Sequence, residues 1–257
     1  MSVESALERL ERDSFIFVLK LKEFQVIRER HESYLDFTGY SASVDDLHWL
    51  KGILVELKDA KGLFCLGNAF CSRELFESGI KCYDESLKLK EYAEAYNNRG
   101  NAYAKLNEYE RAIKDYDKAI ELNPNYAETY YNRGNAYAEL NEYERAIKDY
   151  DKAIELNPND VKAYNNRGNA YAKLNEYERA IKDYDKAIEL NPNYAETYYN
   201  RGNAYAELNE YERAIKDYDK AIELNPNDVK AYNNRGNAYA KLNEYERAIK
   251  DYDKAIE

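Results

Sequence analysis

The sequence predicts an all-α fold, a solenoid of stacked helical hairpins. Residues 195–257 repeat residues 127–189 letter for letter, and a block similar to YNRGNAYAELNEYERAIKDYDKAIELNP recurs every 34 residues. A unit of that length cannot close a hydrophobic core alone, so neighbouring copies must bury its apolar faces. We therefore expect a linear array whose surface chemistry repeats from copy to copy.

Each copy is predicted to contain two amphipathic helices, as the copy at residues 93–126 illustrates. In both halves of this copy, apolar and small residues follow the three-and-four spacing of a buried helix face. The first half carries Tyr96, Gly100, Tyr103 and Ala104, and the second carries Tyr109, Ala112, Ile113, Tyr116, Ala119 and Ile120. We expect Gly100 to lie opposite Ala112 and Ala119, which would bring the two helices close together.

Turn signals separate the two helices and end the second one. Asn107 tolerates the left-handed conformation that closes a tight turn between helices. After Leu122, the pair Asn123-Pro124 is expected to end the second helix, because the residue before a proline is pushed out of helical geometry. Each copy is therefore predicted to be a helical hairpin.

These residues resemble the signature of the tetratricopeptide repeat family. The matching positions, in the order aromatic, glycine, tyrosine, tyrosine, alanine, aromatic, alanine and proline, are Tyr96, Gly100, Tyr103, Tyr109, Ala112, Tyr116, Ala119 and Pro124. The sequence departs from the signature at Arg99, where leucine is common, and at Asn107, where glycine is common. The resemblance implies a right-handed superhelix that binds other proteins.

Five copies match this pattern, and a degenerate sixth precedes them. The five copies are residues 93–126, 127–160, 161–194, 195–228 and 229–257, the last of which stops just before its proline. We expect the degenerate unit at residues 60–92, because Leu66-Gly67-Asn68-Ala69-Phe70 mirrors residues 99–103. This unit lacks the terminal proline.

Residues 1–59 are predicted to form a divergent helical cap on the array. Ser43 with Asp46 is typical of a capping box that opens a helix, here expected to run through Leu57. Residues 3–35 are mostly helix-favouring, but the apolar run from Phe15 to Leu19 fits either a buried helix segment or a strand. We favour a helix.

Charge and hydropathy exclude two classes of partner. The net charge of -11 argues against nucleic acid, whose binding needs a clustered excess of Lys and Arg. No apolar run approaches the roughly 18–20 residues needed to cross a bilayer, and the start MSVESALERLERD lacks the features of a signal peptide. We expect a soluble cytoplasmic protein with no membrane partner.

The sequence predicts neither a metal site nor a cofactor. Cys65, Cys71 and Cys82 have spacings that match no zinc site and no CxxC pair, so they are expected to be reduced packing residues. His31 and His48 have no ligand-like partners at helical spacing. The regular copies contain no His, Cys or Ser, which argues against a nucleophilic enzyme.

Two rows of asparagine are the candidate binding residues. The family resemblance implies that the first helix of each hairpin lines a concave groove, where the amides of asparagine can match the donor and acceptor of a peptide bond. Row A comprises Asn98, Asn132, Asn166, Asn200 and Asn234, and row B comprises Asn101, Asn135, Asn169, Asn203 and Asn237. Row A resembles the asparagine ladder of the O-linked N-acetylglucosamine transferase superhelix. The alternative is that these side chains bond to neighbouring helices or stay solvated.

A second family precedent is the carboxylate clamp of chaperone-binding cochaperones. Its asparagines and one lysine match Asn101, Asn132 and Lys162, and again Asn169, Asn200 and Lys230. Two of its cations are replaced by asparagine here, so we favour the ladder. Tyr131 and Tyr199 occupy a further groove position, where their flat rings could receive a ligand side chain.

Charged residues in the copies have competing interpretations. The arginine row Arg99, Arg133, Arg167, Arg201 and Arg235 is expected to form structural ion pairs, with Asp115 or Asp117 as partners of Arg99. Glu139, Lys173, Glu207 and Lys241 alternate in sign. This alternation indicates either a striped surface that selects charged ligands or attraction between neighbouring copies, such as Glu139 with Lys173, and we favour the second.

The function predicted is a non-enzymatic protein-protein interaction module that binds extended peptide segments in its groove. The alternative is a scaffold that self-assembles through the apolar face of its last helix, which contains Ile249, Tyr252 and Ile256. A third possibility is a spacer whose specificity resides in residues 1–92.

Overall fold

A computed structural model describes residues 44–256, and all their regular structure is helical. The predictions for residues 3–35, for His31 and for the cap at Ser43 lie outside the described residues. The described helices are α1 (Val44–Glu56), α2 (Ala60–Cys71), α3 (Phe76–Leu89), α4 (Ala93–Lys105), α5 (Tyr109–Leu122), α6 (Ala127–Glu139), α7 (Tyr143–Leu156), α8 (Val161–Lys173), α9 (Tyr177–Leu190), α10 (Ala195–Glu207), α11 (Tyr211–Leu224), α12 (Val229–Lys241) and α13 (Tyr245–Ile256).

The chain divides into two compact units, residues 1–124 and 125–257. The second unit consists of the hairpins α6–α7, α8–α9, α10–α11 and α12–α13. The second helix of each hairpin packs against the first helix of the next, and successive first helices also contact one another. The described part of the first unit contains the hairpins α2–α3 and α4–α5, with α1 packed on α2. The predicted all-α fold of stacked hairpins is therefore confirmed.

The turn inside each hairpin has the predicted left-handed asparagine. Asn107 has φ of 60°, and its equivalents in the later copies have φ of 60–62°. At the end of α6, the amide of Asn141 donates to the carbonyl of Ala138, and the amide of Glu142 donates to that of Tyr137, both at 2.9 Å. These two bonds form a Schellman motif, which satisfies the last carbonyls of the helix.

The ends of the helices at the links between copies also follow from the sequence. α7 ends at Leu156, immediately before Asn157-Pro158, as the proline rule predicts. α8 then begins after Asp160, whose carboxylate accepts the amides of Lys162 and Ala163 at 3.0 and 3.1 Å. An aspartate at this position satisfies amides that have no partner inside the helix.

The close approach of the two helices in a hairpin depends on a tyrosine that packs on a glycine. A Cβ atom added to Gly100 would lie 2.6 Å from the ring of Tyr116. Gly100 was expected to lie opposite Ala112 and Ala119, but its nearest neighbour across the hairpin is Tyr116. Tyr116 is fully buried. Its ring occupies the space that a side chain at position 100 would need, so only a glycine fits there.

The core of the first unit contains the cysteines predicted to pack. Cys82 is buried in a cluster with Leu63, Leu66 and Phe70, and Cys65 packs against this cluster. None of the three cysteines is part of a disulfide. Burial raises the pKa of the Cys82 thiol to about 12, which keeps it protonated and unreactive at neutral pH. Between residues 44 and 256, no helix combines the length and the apolar character that a membrane span requires.

Candidate functional site

Three open pockets of similar construction recur along the first helices of the second unit, and together they form the surface called the groove. The pocket between α6 and α8 has a volume of about 560 Å³, and those between α8 and α10 and between α10 and α12 have about 420 and 510 Å³. Their walls combine asparagine, small alanine, tyrosine and one charge of each sign. The last pocket, for example, is lined by Asn203, Ala206, Glu207, Asn209, Tyr211, Tyr218, Asn234, Asn237, Ala238 and Lys241.

Helix geometry explains why these residue types meet. Near its end, α6 carries Asn135, Ala138 and Glu139 at positions i, i+3 and i+4. Residues with this spacing lie on the same face of a helix. Tyr143, the first residue of the next helix, closes the wall, and its hydroxyl donates to Asn141 at 2.7 Å. From its sequence position, the equivalent Tyr109 was expected to pack in the core, so this tyrosine was not predicted as a pocket residue.

Row B asparagines are held by tyrosines of the same copy, and all of these tyrosines except the half-buried Tyr252 are buried. The hydroxyl of Tyr184 donates to Asn169 Oδ1 at 2.8 Å. The same bond recurs at 2.8–2.9 Å in the other copies, where the pairs are Tyr116–Asn101, Tyr150–Asn135, Tyr218–Asn203 and Tyr252–Asn237. Each tyrosine thus orients one amide, because its ring is fixed in the core.

Row A contains asparagines that bond to the preceding copy. Asn166 Nδ2 donates to Asn135 Oδ1 at 2.9 Å, and Asn234 Nδ2 donates to Asn203 Oδ1 at 2.8 Å. In the first unit, Asn98 Nδ2 makes the equivalent bond to Asn68. Bonding between neighbouring helices, left open in the sequence analysis, is therefore one role of these rows. Asn132, also of row A, is half-buried.

Some amide nitrogens of row B face solvent. Within residues 44–256, the nitrogens Nδ2 of Asn169 and Asn203 donate no hydrogen bond to a protein atom, and both residues line pockets. In the same part of the chain, no buried polar side-chain atom lacks a partner, so these nitrogens face solvent. Each offers two N–H donors to the groove.

Two kinds of junction alternate between successive copies. At one kind, the fully buried Asn165 Oδ1 accepts from Thr197 Oγ1 at 3.1 Å and from Asn200 Nδ2 at 3.3 Å. Its Nδ2 donates to Glu196 at 3.1 Å. The bonds of Asn165 were not predicted, because its partners come from the next copy.

At the other kind of junction, tyrosine replaces the buried asparagine. Tyr131 accepts from Asn166 at 3.1 Å, and Tyr199 accepts from Asn234 at 3.1 Å. Tyr199 packs beside Ala231, which stands where the other junction has threonine. Tyr131 and Tyr199 are half-buried and line none of the three pockets.

The arginine row forms the predicted ion pairs. Arg99 donates to both oxygens of Asp115 at 2.7 and 2.6 Å. It also donates to Asp84, in the degenerate repeat at residues 60–92, at 2.6 Å. Arg167 likewise binds Asp183 and Asp151. Burial by itself would lower the pKa of Arg167, but the hydrogen bonds and charges of Asp183 and Asp151 outweigh this effect, so the pKa is raised. The arginines are therefore structural and are occupied.

The alternating charges at the ends of the first helices are not paired with each other. Glu139, Lys173, Glu207 and Lys241 are exposed, and no ion pair joins them within the described residues. The favoured interpretation of Glu139 with Lys173 as a neighbouring attraction is therefore not supported by a salt bridge. Lys162 and Lys230, the predicted clamp lysines, are exposed but lie outside the three pockets.

The residues predicted for self-association differ in exposure. The side chains of Ile249 and Ile256 on α13 are 58% and 84% exposed, whereas the equivalent Ile215 in an internal copy is 9% exposed. Tyr252 is half-buried. An apolar surface is therefore present on α13.

Stacked hairpins with a repeating groove define a helical-repeat protein of the protein-protein interaction class. A family model described as "TPR repeat" matches residues 100–140, 134–175, 168–209 and 202–243. The chain belongs to the tetratricopeptide repeat family, as its sequence signature indicated.

Solved structures of other tetratricopeptide repeat proteins have the same fold. MamA is 30% identical with a TM-score of 0.60, covering 64% of this chain and 90% of that one. MamA from Desulfovibrio magneticus RS-1 is 26% identical with a TM-score of 0.61, covering 64% and 93%. YrrB, described as a TPR protein with an unusual peptide-binding site, is 28% identical with a TM-score of 0.61, covering 71% and 94%. No curated protein sequence matches the chain significantly.

Proposed function

We propose that the chain binds an extended segment of a partner protein along the groove of its second unit. The observation that carries this proposal is the recurrence of one pocket in three successive positions. A ligand with a repeating backbone can occupy such a row with the same contacts each time. The peptide-binding site named for YrrB supports the same class of ligand.

The chemistry of the pockets suits a peptide backbone. The free amide N–H groups of Asn169 and Asn203 can donate to peptide carbonyls. Ala172 and Ala206 leave room for a close approach, and the half-buried Tyr177 offers an aromatic wall. These contacts involve little of the ligand's side chains, so we expect the hydrogen bonding to be tolerant of sequence.

The proposal is tested by filling the pockets without disturbing the asparagine network. Replacing an asparagine such as Asn166 by alanine would also remove a bond between copies, so that variant confuses binding with stability. We suggest the triple variant Ala138→Leu, Ala172→Leu and Ala206→Leu, because these half-buried alanines line the three pockets. Fluorescence anisotropy with a pool of labelled extended peptides should show at least a tenfold loss of affinity.

A matched control carries the same number of added leucines away from the groove. Lys148, Lys182 and Lys216 are exposed on second helices, and their replacement by leucine should leave peptide affinity unchanged. Circular dichroism should show equal helicity for both triple variants. Equal loss of binding in the two variants, or no binding by the unmodified chain, would contradict the groove as the binding surface.

A second candidate function is self-association through α13. We propose it because Ile249 and Ile256 expose an apolar surface that internal copies bury, and a second chain carries near-identical copies able to cover it. Sedimentation velocity should show concentration-dependent association that disappears in the variant Ile249→Asp with Ile256→Asp. The control Lys250→Asp changes an exposed residue of the same helix and should still associate. A monomer at all concentrations before mutation excludes this candidate.

A further inference from the structure

The four charges at the ends of the first helices alternate in sign along the groove. Glu139, Lys173, Glu207 and Lys241 are the last residues of α6, α8, α10 and α12. Each pocket is lined by two of them, one acidic and one basic. The asparagines of both rows are the same in all copies, so the charge is the feature that distinguishes one groove position from the next.

These charges are unpaired although the same molecule pairs many others. On the second helices, exposed lysines bond to glutamates three residues later, as Lys152 does with Glu155 at 2.8 Å and Lys220 with Glu223 at 2.7 Å. No such ion pair involves the four groove charges within the described residues. Because no protein group neutralises them at short range, they remain available to charges on a ligand.

Their spacing points to one conformation of the ligand. Successive first helices are in contact, and helices in contact lie about 8–10 Å apart, which we take as the interval between neighbouring groove charges. A polyproline II segment rises about 3.1 Å per residue with three residues per turn, so every third side chain lies on one face at about 9 Å intervals. Such a segment can present one side chain to each groove charge in turn.

We propose that the groove selects extended, polyproline II-like peptide segments in which every third residue alternates between basic and acidic. This inference rests on the proposed peptide-binding function and adds the charge pattern of the ligand. Basic side chains of the segment lie opposite Glu139 and Glu207, and acidic ones lie opposite Lys173 and Lys241. A shift of the segment by three residues puts like charges together, so the pattern also determines the register.

Three peptides of equal length test the selection by fluorescence anisotropy at low salt. In the first, lysine and glutamate alternate at every third position, with proline and alanine between them. In the second, all the lysines precede all the glutamates, and in the third, glutamine replaces every charge. We expect the first to bind about tenfold more tightly than the second or third and to lose this advantage at high salt. Equal binding of all three overturns the charge selection but not groove binding, whereas binding of none contradicts the proposed function itself.

A charge-reversal pair separates the stripe from net charge. In the variant Lys173→Glu with Lys241→Glu, the groove becomes uniformly acidic, so the preference should move to a peptide with lysine at every third position. The control variant Lys182→Glu with Lys216→Glu makes the same change in net charge on exposed second-helix residues. It should keep the preference for alternating charge. If the control changes preference as much as the groove variant, long-range charge explains the selection and the proposal is wrong.

Discussion

At the scale of single residues, each buried tyrosine supports both the core and the groove. The ring of Tyr184 lies over Gly168, where an added Cβ atom would be 2.6 Å from it. Its hydroxyl holds Asn169 Oδ1 at 2.8 Å. Burial raises the pKa of this hydroxyl, so it stays protonated and able to donate at neutral pH. The position of the groove amide therefore depends on the packing of the hairpin.

This dependence predicts that Gly168→Ala destabilises the protein. The methyl group would overlap the ring of Tyr184, and overpacking of this kind costs about 1–3 kcal/mol. The free energy of unfolding can be measured by urea denaturation followed by circular dichroism. The control is Gly52→Ala, because no atom lies within 4 Å of the added methyl group there, and we expect a stabilisation of about 0.5–1 kcal/mol. Similar losses in both variants would contradict the packing argument.

The two partners of Arg167 should contribute unequally to stability. Asp183 has a side chain 9% exposed and accepts two bonds from the guanidinium, whereas the side chain of Asp151 is 52% exposed and accepts one. Asp183→Ala leaves a largely buried charge without its main partner and should cost about 3 kcal/mol. Asp151→Ala should cost under about 1 kcal/mol, as exposed ion pairs do. The free energy of unfolding of both variants can be measured by chemical denaturation. Equal losses of stability would refute the role assigned to burial.

At the scale of elements, the alternation of copy types is a matter of fit between helices. Asn165 bonds to Thr197 at one junction, whereas Tyr199 packs beside Ala231 at the next. A large side chain thus meets a small one, and a small polar side chain meets a hydroxyl. Since interiors are packed densely, each member of a pair restricts the size and polarity of the other.

A double-mutant cycle tests this complementarity. Asn165→Tyr alone places a large ring against Thr197 and leaves its hydroxyl without the asparagine. Adding Thr197→Ala recreates the tyrosine-alanine pair of the other junction. We expect the double variant to unfold at a higher urea concentration than the single Asn165→Tyr variant, with a coupling free energy of about 1–3 kcal/mol. Additive losses would show that the two positions are independent.

At the scale of the whole molecule, the array is stabilised by contacts between neighbouring hairpins. Helices of the second unit contact their own hairpin and the next one along the chain. The free energy of unfolding of such an array is close to the sum of the stability of each copy and the contribution of each interface between neighbouring copies. The order of the copies therefore matters, because only some orders produce matched junctions.

This reasoning predicts a difference between two insertions. A duplicate of residues 161–228 placed after residue 228 preserves every junction, so it should raise the free energy of unfolding. A duplicate of residues 161–194 placed after residue 194 puts Asn165 opposite alanine instead of the Thr197 hydroxyl. Its stabilisation per added copy should be smaller. Denaturation curves fitted for free energy per copy provide the measurement, and equal gains per copy would contradict the importance of junction order.

The repeat, the hairpins, their turns and the arginine ion pairs could all be predicted from the order of the amino acids. The left-handed asparagines, the helix end before Pro158 and the pairing of Arg99 with Asp115 follow from residues close together in the chain. Periodicity and local backbone geometry control such features, and each occurs in several copies, so the pattern is unambiguous. The family and the fold class could be predicted for the same reason.

Which groups of the groove are hydrogen-bonded within the protein and which face solvent became clear only from the folded arrangement. The bonds of Asn165 and Asn166 reach residues 31–35 positions away in the sequence. Differences of a few ångströms in the distances between packed helices control two further features. One is whether Lys173 pairs with Glu139, and the other is whether a tyrosine or an alanine covers a glycine. Sequence spacing does not resolve such distances, because they arise from how side chains of different copies fit together.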